Sequence, residues 1–295
     1  MPATPTGSTV PRRQLGRHLR RLRTDARMTV IGAAKALEWS ETKVWRIETG
    51  QTSLRSHDVE LMCHVYGAPR DLKVALMGLA KETKQKGWWH AYGDVIPDTF
   101  DLFIGLEEAA ETLEEYSPEL VPGLLQTPDY YRALLDRNRP GLQDEEVELK
   151  AQLRVKRQIL ITRTVAPPTL RAVLNEAVVR RVVGGAEVMV PQLHRLAELN
   201  ELPHVALRVL PFSAGAHQGF DTGPFILMRF LTTGDGRGHE PPTVYVQGFT
   251  GALYLDKANE IDRYADAFAA VWDDALPEDE SSSLFRRAAR EMDGR

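Results

Sequence analysis

Apolar residues recur at helical spacing near the start of the chain. Leu15, Leu19 and Leu22 are spaced i, i+4 and i+7, which places them on one face of a helix over residues 14–25. Arginines occupy much of the remaining circumference, at Arg12, Arg13, Arg17, Arg20, Arg21 and Arg23. The pattern predicts an amphipathic helix with a basic outer surface.

Two more helices and a short turn are predicted next. Thr29 is suited to cap a helix that runs to about residue 37, and Ser40 is suited to cap another over residues 41–49. Residues 38–40 would form the turn between these helices. Two further helices, over residues 57–66 and 71–84, would complete the domain.

The third helix has an apolar and a polar side. Val44 and Ile47 face inward at spacing i, i+3, and Gly50 would end the helix in a left-handed conformation. The outward positions are Glu41, Thr42, Lys43 and Arg46. Further core positions follow at Val59, Leu61, Met62, Val65, Leu72, Leu76 and Leu79. We therefore predict a mainly α, five-helix helix-turn-helix domain over residues 12–85.

The remainder of the chain mixes helical and strand patterns. Strand-like runs are predicted at residues 170–174, 205–211, 224–231 and 243–249. Helices are predicted at residues 101–110, 128–136, 144–162, 186–199, 257–274 and 283–292. Strict βαβ spacing is absent, so we predict a mixed α/β domain with a modest sheet over residues 86–277. A C-terminal helix or tail would follow over residues 278–295.

Composition excludes several classes of protein. Residues 1–11 are rich in Pro, Thr and Ser, lack the apolar core of a secretory signal, and are predicted to form a disordered arm. No apolar run is long enough to span a bilayer. The single Cys63 excludes an internal disulfide and a multi-cysteine zinc site. We expect a cytoplasmic protein without a metal or other cofactor.

Charge is distributed unevenly along the chain. Residues 1–90 carry 16 Lys and Arg against 8 Asp and Glu, which leaves 21 basic and 33 acidic residues for the rest. A basic module joined to an acidic body is typical of a protein that binds a polyanion such as DNA through one domain.

The N-terminal region resembles the XRE-type helix-turn-helix, the superfamily of the phage repressors and Cro. The resemblance rests on LGRHLRRLRTDARMT and AAKALEWSETKVWRIETGQTS, above all on the Arg-Ile-Glu-Thr-Gly ending of the third helix at residues 46–50. It implies that Arg23 pairs with Glu48 and ties the first helix to the third. Glu38 departs from the family, which usually has a turn glycine there, and Val30 stands where a polar residue usually binds phosphate.

The same resemblance implies how the domain would contact double-stranded DNA. Glu41, Thr42 and Arg46 would read base edges in the major groove, with Lys43 and Thr49 near phosphates. Arg is suited to bidentate contact with guanine, and Thr can hydrogen-bond a base or touch a thymine methyl group. The predicted DNA-binding set is Thr29, Ser40, Glu41, Thr42, Lys43, Arg46 and Thr49.

The C-terminal half resembles the corresponding domain of the actinobacterial WhiJ-like regulators. The motifs that carry the resemblance are GWWHAYGDVIPDTFDLFIGLEEAA, ELVPGLLQTPDYYRALL, RVKRQIL, LNEAVVRRVVGG, PQLHRLAEL and VLPFSAGAH. The resemblance implies a regulator of development or secondary metabolism, and in many such systems a small acidic protein is thought to bind the regulator.

Candidate effector-binding residues fall in loops of this half. Trp88 and Trp89, the segment 122–127 with Gln126, and the loop 217–223 with His217 combine aromatic, glycine and polar residues, as binding sites do. Core packing of the tryptophans and simple turns at the glycines are the alternative. Arg154 and Arg157 on a predicted basic helix are a second candidate, for an acidic protein partner.

Catalysis is not expected. The histidines form no HExxH pair, and no phosphate-binding loop or G-x-S-x-G motif is present. Glu176, His217 and Asp221, on loops after strands, are the residues that look most catalytic, but the glycines around His217 indicate a turning loop.

The sequence thus predicts a sequence-specific transcription regulator controlled through its C-terminal domain by a small protein or a ligand. One recognition helix covers too few base pairs for a specific site, so we expect a homodimer. The alternative is an antitoxin-like protein whose main role is to bind a partner and whose DNA binding is autoregulatory.

Overall fold

The computed structural model describes residues 9–52, 54–83, 98–139, 141–231, 240–249 and 251–294. The chain divides into two compact units. The first comprises Met1–Ala109 and Leu231–Glu240, and the second comprises Ala110–Phe230 and Pro241–Arg295. The expected boundary near residue 85 thus differs from the division of the structure, which places residues 98–109 in the first unit.

The first unit is helical where it is described. Its helices are α1 (Thr9–Asp25), α2 (Val30–Leu37), α3 (Glu41–Glu48), α4 (Ser56–Val65), α5 (Arg70–Glu82) and α6 (Asp98–Ala109). The predicted three-residue turn between the second and third helices is confirmed. Thr29 Oγ1 accepts a hydrogen bond from Gly32 N at 3.0 Å, and Ser40 Oγ accepts one from Lys43 N at 3.2 Å. Both predicted N-caps are therefore formed.

Glu38 and Gly50 both have positive φ. Glu38 takes the left-handed conformation at the end of α2, with φ of 57°, so a side chain is accommodated where the resembled family usually has glycine. Gly50 follows α3 with φ of 73°. The predicted left-handed glycine after α3 is therefore confirmed.

The core of the first unit contains the predicted apolar positions. Leu15, Leu19, Val44 and Ile47 are each at most 2% exposed. Gly16 lies where α1 crosses α3: a Cβ atom there would be 2.5 Å from the carbonyl oxygen of Ile47. The close approach of the two helices therefore requires glycine at this position.

Helix α1 begins earlier than expected and interacts with α6. It starts at Thr9, inside the region predicted to be a disordered arm, whereas residues 1–8 lie outside the described part of the chain. Arg12 Nη2 donates to Asp101 Oδ2 at 3.2 Å. This contact places Arg12 in the packed unit, although the residue was expected on the basic outer surface.

The second unit is a mixed α/β structure, as predicted. Its described strands are β1 (Thr112–Ser117), β2 (Thr169–Asn175), β3 (Val205–Leu210), β4 (Phe225–Arg229), β5 (Thr243–Gly248) and β6 (Gly251–Leu255). Its described helices are α7 (Pro128–Asn138), α8 (Asp144–Thr162), α9 (Glu176–Arg180), α10 (Ala186–Leu199), α11 (Gly219–Thr222), α12 (Ala258–Asp273) and α13 (Glu278–Asp293).

The described strands form one sheet in the order β3-β2-β1-β4-β5-β6. Strands β1, β2 and β3 run parallel, connected through helices, whereas β4 pairs antiparallel with β1, β5 with β4 and β6 with β5. The sheet therefore changes from parallel to antiparallel at β1.

Helices α12 and α13 belong to the packed body of the second unit. Phe268 and Trp272 of α12 form a core cluster with Tyr116 and Phe225. Helix α13 buries Phe285 completely and contacts α10 and β3. The region expected to be a terminal helix or tail is thus a full helix that covers part of the sheet.

Candidate nucleic-acid interface and effector cavity

Helix α3 presents one polar face away from the core. Glu41, Thr42 and Arg46 are exposed, while Val44 and Ile47 are buried on the opposite side. Trp45 lies on the same outward face and is 51% exposed. The face therefore combines a carboxylate, a hydroxyl, a guanidinium group and an indole on one helix.

Trp45 is absent from the sequence-based set of DNA-binding residues. Residues 41, 42, 45, 46 and 49 follow the spacing i, i+1, i+4, i+5 and i+8, which is one stripe of a helix. Large aromatic residues are usually assigned to the core, but the helical stripe already indicates that Trp45 faces outward.

The remaining candidates lie around this face and already make local contacts. Lys43 Nζ lies 3.4 Å from the ring centroid of Trp39. Thr49 Oγ1 donates to the carbonyl oxygen of Trp45 at 2.8 Å. In the caps of α2 and α3, Thr29 and Ser40 use their hydroxyl oxygens as acceptors. Their hydroxyl protons are not needed for the caps and could be donated to phosphate.

Arg23 and Glu48 join α1 to α3 by a bidentate ion pair. Arg23 Nε and Nη2 donate to Glu48 Oε1 and Oε2 at 2.6 and 2.8 Å, and Nη1 donates to the carbonyl oxygen of Met28 at 2.7 Å. The hydrogen bonds with Glu48 raise the pKa of Arg23. Burial raises the pKa of Tyr66, and its hydroxyl also interacts electrostatically with Glu48 and Arg23. The helix that carries the outward face is thus fixed to α1 by a buried charged contact.

The basic surface of α1 is narrower than the sequence indicates. Arg13 is 5% exposed, and its Nε lies 2.9 Å from Glu240 Oε1. Arg17 Nη2 donates to Glu240 Oε2 at 2.8 Å. Glu240 lies between β4 and β5 in the sequence but belongs to the first unit. Its carboxylate neutralises part of the basic charge of α1. The exposed basic residues on the helix-turn-helix segment include Arg20, Arg21, Arg27 and Lys35.

A cavity of about 490 Å³ lies in the second unit at the carboxyl end of β1. Two of the candidate effector residues, Gln126 and Arg154, line it. His217 lies outside its lining, with Nδ1 accepting from Gly219 N at 3.1 Å and its ring stacked on Phe220 at 4.2 Å. Trp88 and Trp89 lie outside the described residues.

Arg157 occupies a different environment from the one expected. It is 4% exposed, and its guanidinium lies against Gly123. A buried arginine cannot offer its charge on a surface to an acidic protein, so its placement does not fit the expected basic docking face on α8. The sequence pattern misses this because Gly123 is distant along the chain.

Glutamine side chains hold one wall of the cavity in place. Gln192 is fully buried, donates to the carbonyl oxygen of Leu125 at 2.8 Å, and accepts from Thr127 N at 2.7 Å. Gln158 Nε2 donates to the carbonyl oxygen of Gln126. The segment 122–127 therefore contains a 3-10 helix, Gly123–Leu125, which is fixed from two neighbouring helices.

The residues considered for catalysis have structural contacts. Glu176 accepts from Arg180 Nε at 3.2 Å and from Phe212 N at 3.0 Å, which fixes the chain after β2 and β3. Asp221 lies in the short helix α11. The described residues contain no group of three or more His, Cys, Asp or Glu side chains placed to hold a metal ion. Among the same residues, no helix is both long and apolar enough to cross a membrane.

Comparison with known proteins gives matches to two family models. No curated protein and no solved structure matches significantly. A helix-turn-helix domain model matches residues 14–76, which include α2 and α3, and indicates a DNA-binding regulator. A second model matches residues 100–287, more than half of the chain. The protein therefore belongs to the family described as a domain of unknown function, DUF5753.

Proposed function

We propose that this protein is a sequence-specific transcription regulator that reads double-stranded DNA with helix α3. The outward face of α3 is the observation that carries the proposal. It is polar and aromatic on a helix whose other side is buried, and it follows a three-residue turn within the matched helix-turn-helix segment. Such a helix enters the major groove in proteins of this architecture.

Each exposed group has a chemical role in this proposal. Arg46 donates two hydrogen bonds to the major-groove edge of guanine, and Glu41 accepts from cytosine. Thr42 contacts a base or a thymine methyl group, and the indole of Trp45 packs on a thymine methyl or a deoxyribose ring. Lys43, Thr49 and the capping hydroxyls of Thr29 and Ser40 contact phosphates and set the register.

Replacement of Arg46 by Ala tests this assignment. On a duplex selected by the full chain from a random pool, the variant should lose ~1–3 kcal/mol of binding free energy, because a bidentate base contact is removed. On random DNA the loss should be much smaller. Fluorescence anisotropy at one fixed salt concentration measures both affinities.

Lys81→Ala is the matched control, because Lys81 is an exposed basic residue of the first unit that lies beyond the matched residues 14–76. It should change both affinities little. If Arg46→Ala weakens selected and random DNA equally, Arg46 contacts only phosphate and the assignment is wrong.

We further propose that the protein is a homodimer paired through the edge strand β6. This strand ends the described sheet, and residues 241–255 contain no charged side chain. Leu253 is 59% exposed on β6, and Phe249 is exposed beside it. Edge strands are normally protected by charges, proline or bulges. Two copies of β6 can pair antiparallel about a two-fold axis. Each strand then contacts the same uncharged surface on its partner. The absence of charge therefore favours a second copy of the chain over a charged partner.

Leu253→Lys should convert the dimer to a monomer. A lysine on an exposed edge strand opposes strand pairing, because two copies would bring like charges together. Val182→Lys, at a loop position with 53% exposure, is the control and should remain dimeric. Sedimentation velocity at micromolar concentration distinguishes these results. A monomeric wild type, or an unchanged dimer in Leu253→Lys, would contradict pairing through β6.

We propose that the second unit controls DNA binding by the first unit. Glu240, which lies between β4 and β5 in the sequence, belongs to the first unit and pairs there with Arg13 and Arg17. By resemblance to the WhiJ-like regulators, we propose a role in development or secondary metabolism on the cytoplasmic nucleoid. The controlling agent would be a small protein or a ligand.

Affinity purification of the full chain from its native host tests this proposed control. A stoichiometric protein would support partner control, and a co-purifying metabolite would support control by a ligand.

A further inference from the structure

We infer that the cavity at the carboxyl end of β1 binds a small organic anion that carries a planar ring and an N–H or O–H donor. The inference deepens, and rests on, the proposed control through the second unit. The cavity volume of about 490 Å³ is that of a site for a drug-sized molecule.

The position of the cavity in the sheet is the first argument. The strand order β3-β2-β1-β4-β5-β6 reverses its direction at β1, which has β2 on one side and β4 on the other. In open α/β sheets, ligands bind beyond the carboxyl ends of strands at the point where the topology switches. Residues at the carboxyl end of β1, Tyr116 and Ser117, line this cavity.

An unsatisfied buried acceptor is the second argument. Gln126 is 5% exposed and lines the cavity. Its Nε2 donates to the carbonyl oxygen of Val121 at 2.8 Å, which fixes the orientation of the amide. Its Oε1 is buried and has no hydrogen-bond partner among the described residues. A buried acceptor without a donor is unfavourable, so a ligand with a donor group would be stabilised here.

Charge and aromatic surface define the rest of the ligand. The guanidinium of Arg154 lies 4.2 Å from the ring centroid of Tyr131, and both residues line the cavity with Arg139. The lining contains two carboxylates, Glu115 and Glu119, and Glu119 is paired with Arg181, which is outside the lining. Tyr131 and Tyr245 supply aromatic surface. An anionic group with a planar ring fits these neighbours.

The dye 8-anilinonaphthalene-1-sulfonate has the required groups: a sulfonate, aromatic rings and an amine N–H. Titrated into the full chain, it should bind saturably with one site per chain, observed as enhanced fluorescence. Arg154→Gln should weaken binding about tenfold, the usual effect of losing a hydrogen bond to a charged group. Lys156→Gln, an exposed lysine on the same helix, should leave binding unchanged.

Replacement of Arg154 could prevent folding, because this residue packs on Tyr131. A second pair of variants therefore tests the site without changing Arg154. Arg139 is exposed at the cavity, so Arg139→Gln should fold normally and weaken binding, whereas Arg137→Gln, an exposed neighbour outside the lining, should not. Circular dichroism checks the fold of each variant. Non-saturable binding to wild type, or equal affinity in Arg139→Gln and Arg137→Gln, would overturn the inference.

Binding of the selected duplex, measured in the same samples without dye, separates this inference from the proposed function. Arg139→Gln should bind DNA as wild type does. DNA binding without dye binding would reject the ligand site alone, whereas absence of DNA binding in wild type would reject the proposed regulator.

Discussion

Glu48→Ala is expected to destabilise the first unit by about 3 kcal/mol. The substitution removes both acceptors of the bidentate pair with Arg23 and leaves that guanidinium buried with only the carbonyl oxygen of Met28. The side chains of Arg23 and Glu48 are 11% and 4% exposed, so water cannot readily replace the lost contact. Hydrogen exchange of α1 and α3 peptides in the full chain reports the local free energy of unfolding.

Glu60→Ala is the matched control for this loss. Glu60 pairs with Lys73 at 3.2 Å in the same unit, but its side chain is 46% exposed. Removing an exposed ion pair should cost at most about 1 kcal/mol. If the hydrogen-exchange rates of α1 and α3 in Glu48→Ala match those in Glu60→Ala, the buried pair does not stabilise the junction of α1 and α3.

Gly16→Ala is expected to have an effect of similar size, about 3 kcal/mol, the upper part of the usual range for overpacking. The added Cβ would lie 2.5 Å from the carbonyl oxygen of Ile47 and 2.8 Å from that of Glu48. Both atoms belong to the backbone of α3, so α3 must move relative to α1 to relieve the overlap. Chemical denaturation of the full chain, with hydrogen exchange to localise the change, measures the loss.

Gly78→Ala, at another helical glycine, is expected to have the opposite effect on stability. A Cβ at Gly78 would meet no atom within 4 Å, and the residue is exposed in α5. Because alanine favours helix more than glycine, this variant should be stabilised by roughly 0.5–1 kcal/mol. Equal effects at the two positions would show that α1 and α3 do not approach as closely as described.

Local features of the first unit could be predicted from sequence. Capping by Thr29 and Ser40 depends on contacts within a few residues, and the left-handed glycine at Gly50 is a feature of its own turn. The alternation of buried and exposed positions on α3 likewise follows from helical spacing. Trp45 was predictable from the same spacing but is easily overlooked, because a large aromatic residue suggests a core position.

The charge partners of Arg12 and Arg13 could not be predicted. A run of arginines on one helix suggests a solvated surface, yet Arg12 and Arg13 are buried beside Asp101 and Glu240, residues far away in the sequence. Arg157 is likewise buried, beside Gly123 from a distant part of the sequence. Each case needs tertiary contacts that no periodicity reveals.

Most elements of the second unit were predicted, but their assembly was not. Helix α8 has the predicted limits, whereas β1 and β6 are absent from the predicted strands. Gly251–Leu255 lacks a clear alternation of apolar and polar residues. The order of strands, and with it the cavity at the end of β1, depends on pairing between distant segments. Of the predicted effector residues, Gln126 and Arg154 meet at this cavity and His217 does not line it.

Selection of DNA by the full chain tests the central claim most directly. The protein would be incubated with a pool of random duplexes, and the retained duplexes would be sequenced after several rounds. We expect enrichment of one motif with two-fold related half-sites, centred about 34 Å or a multiple of that distance apart. The same selection with Arg46→Ala should lose the preference at one position of each half-site. A retained pool with the same base composition and order as the starting pool would contradict sequence-specific reading by α3.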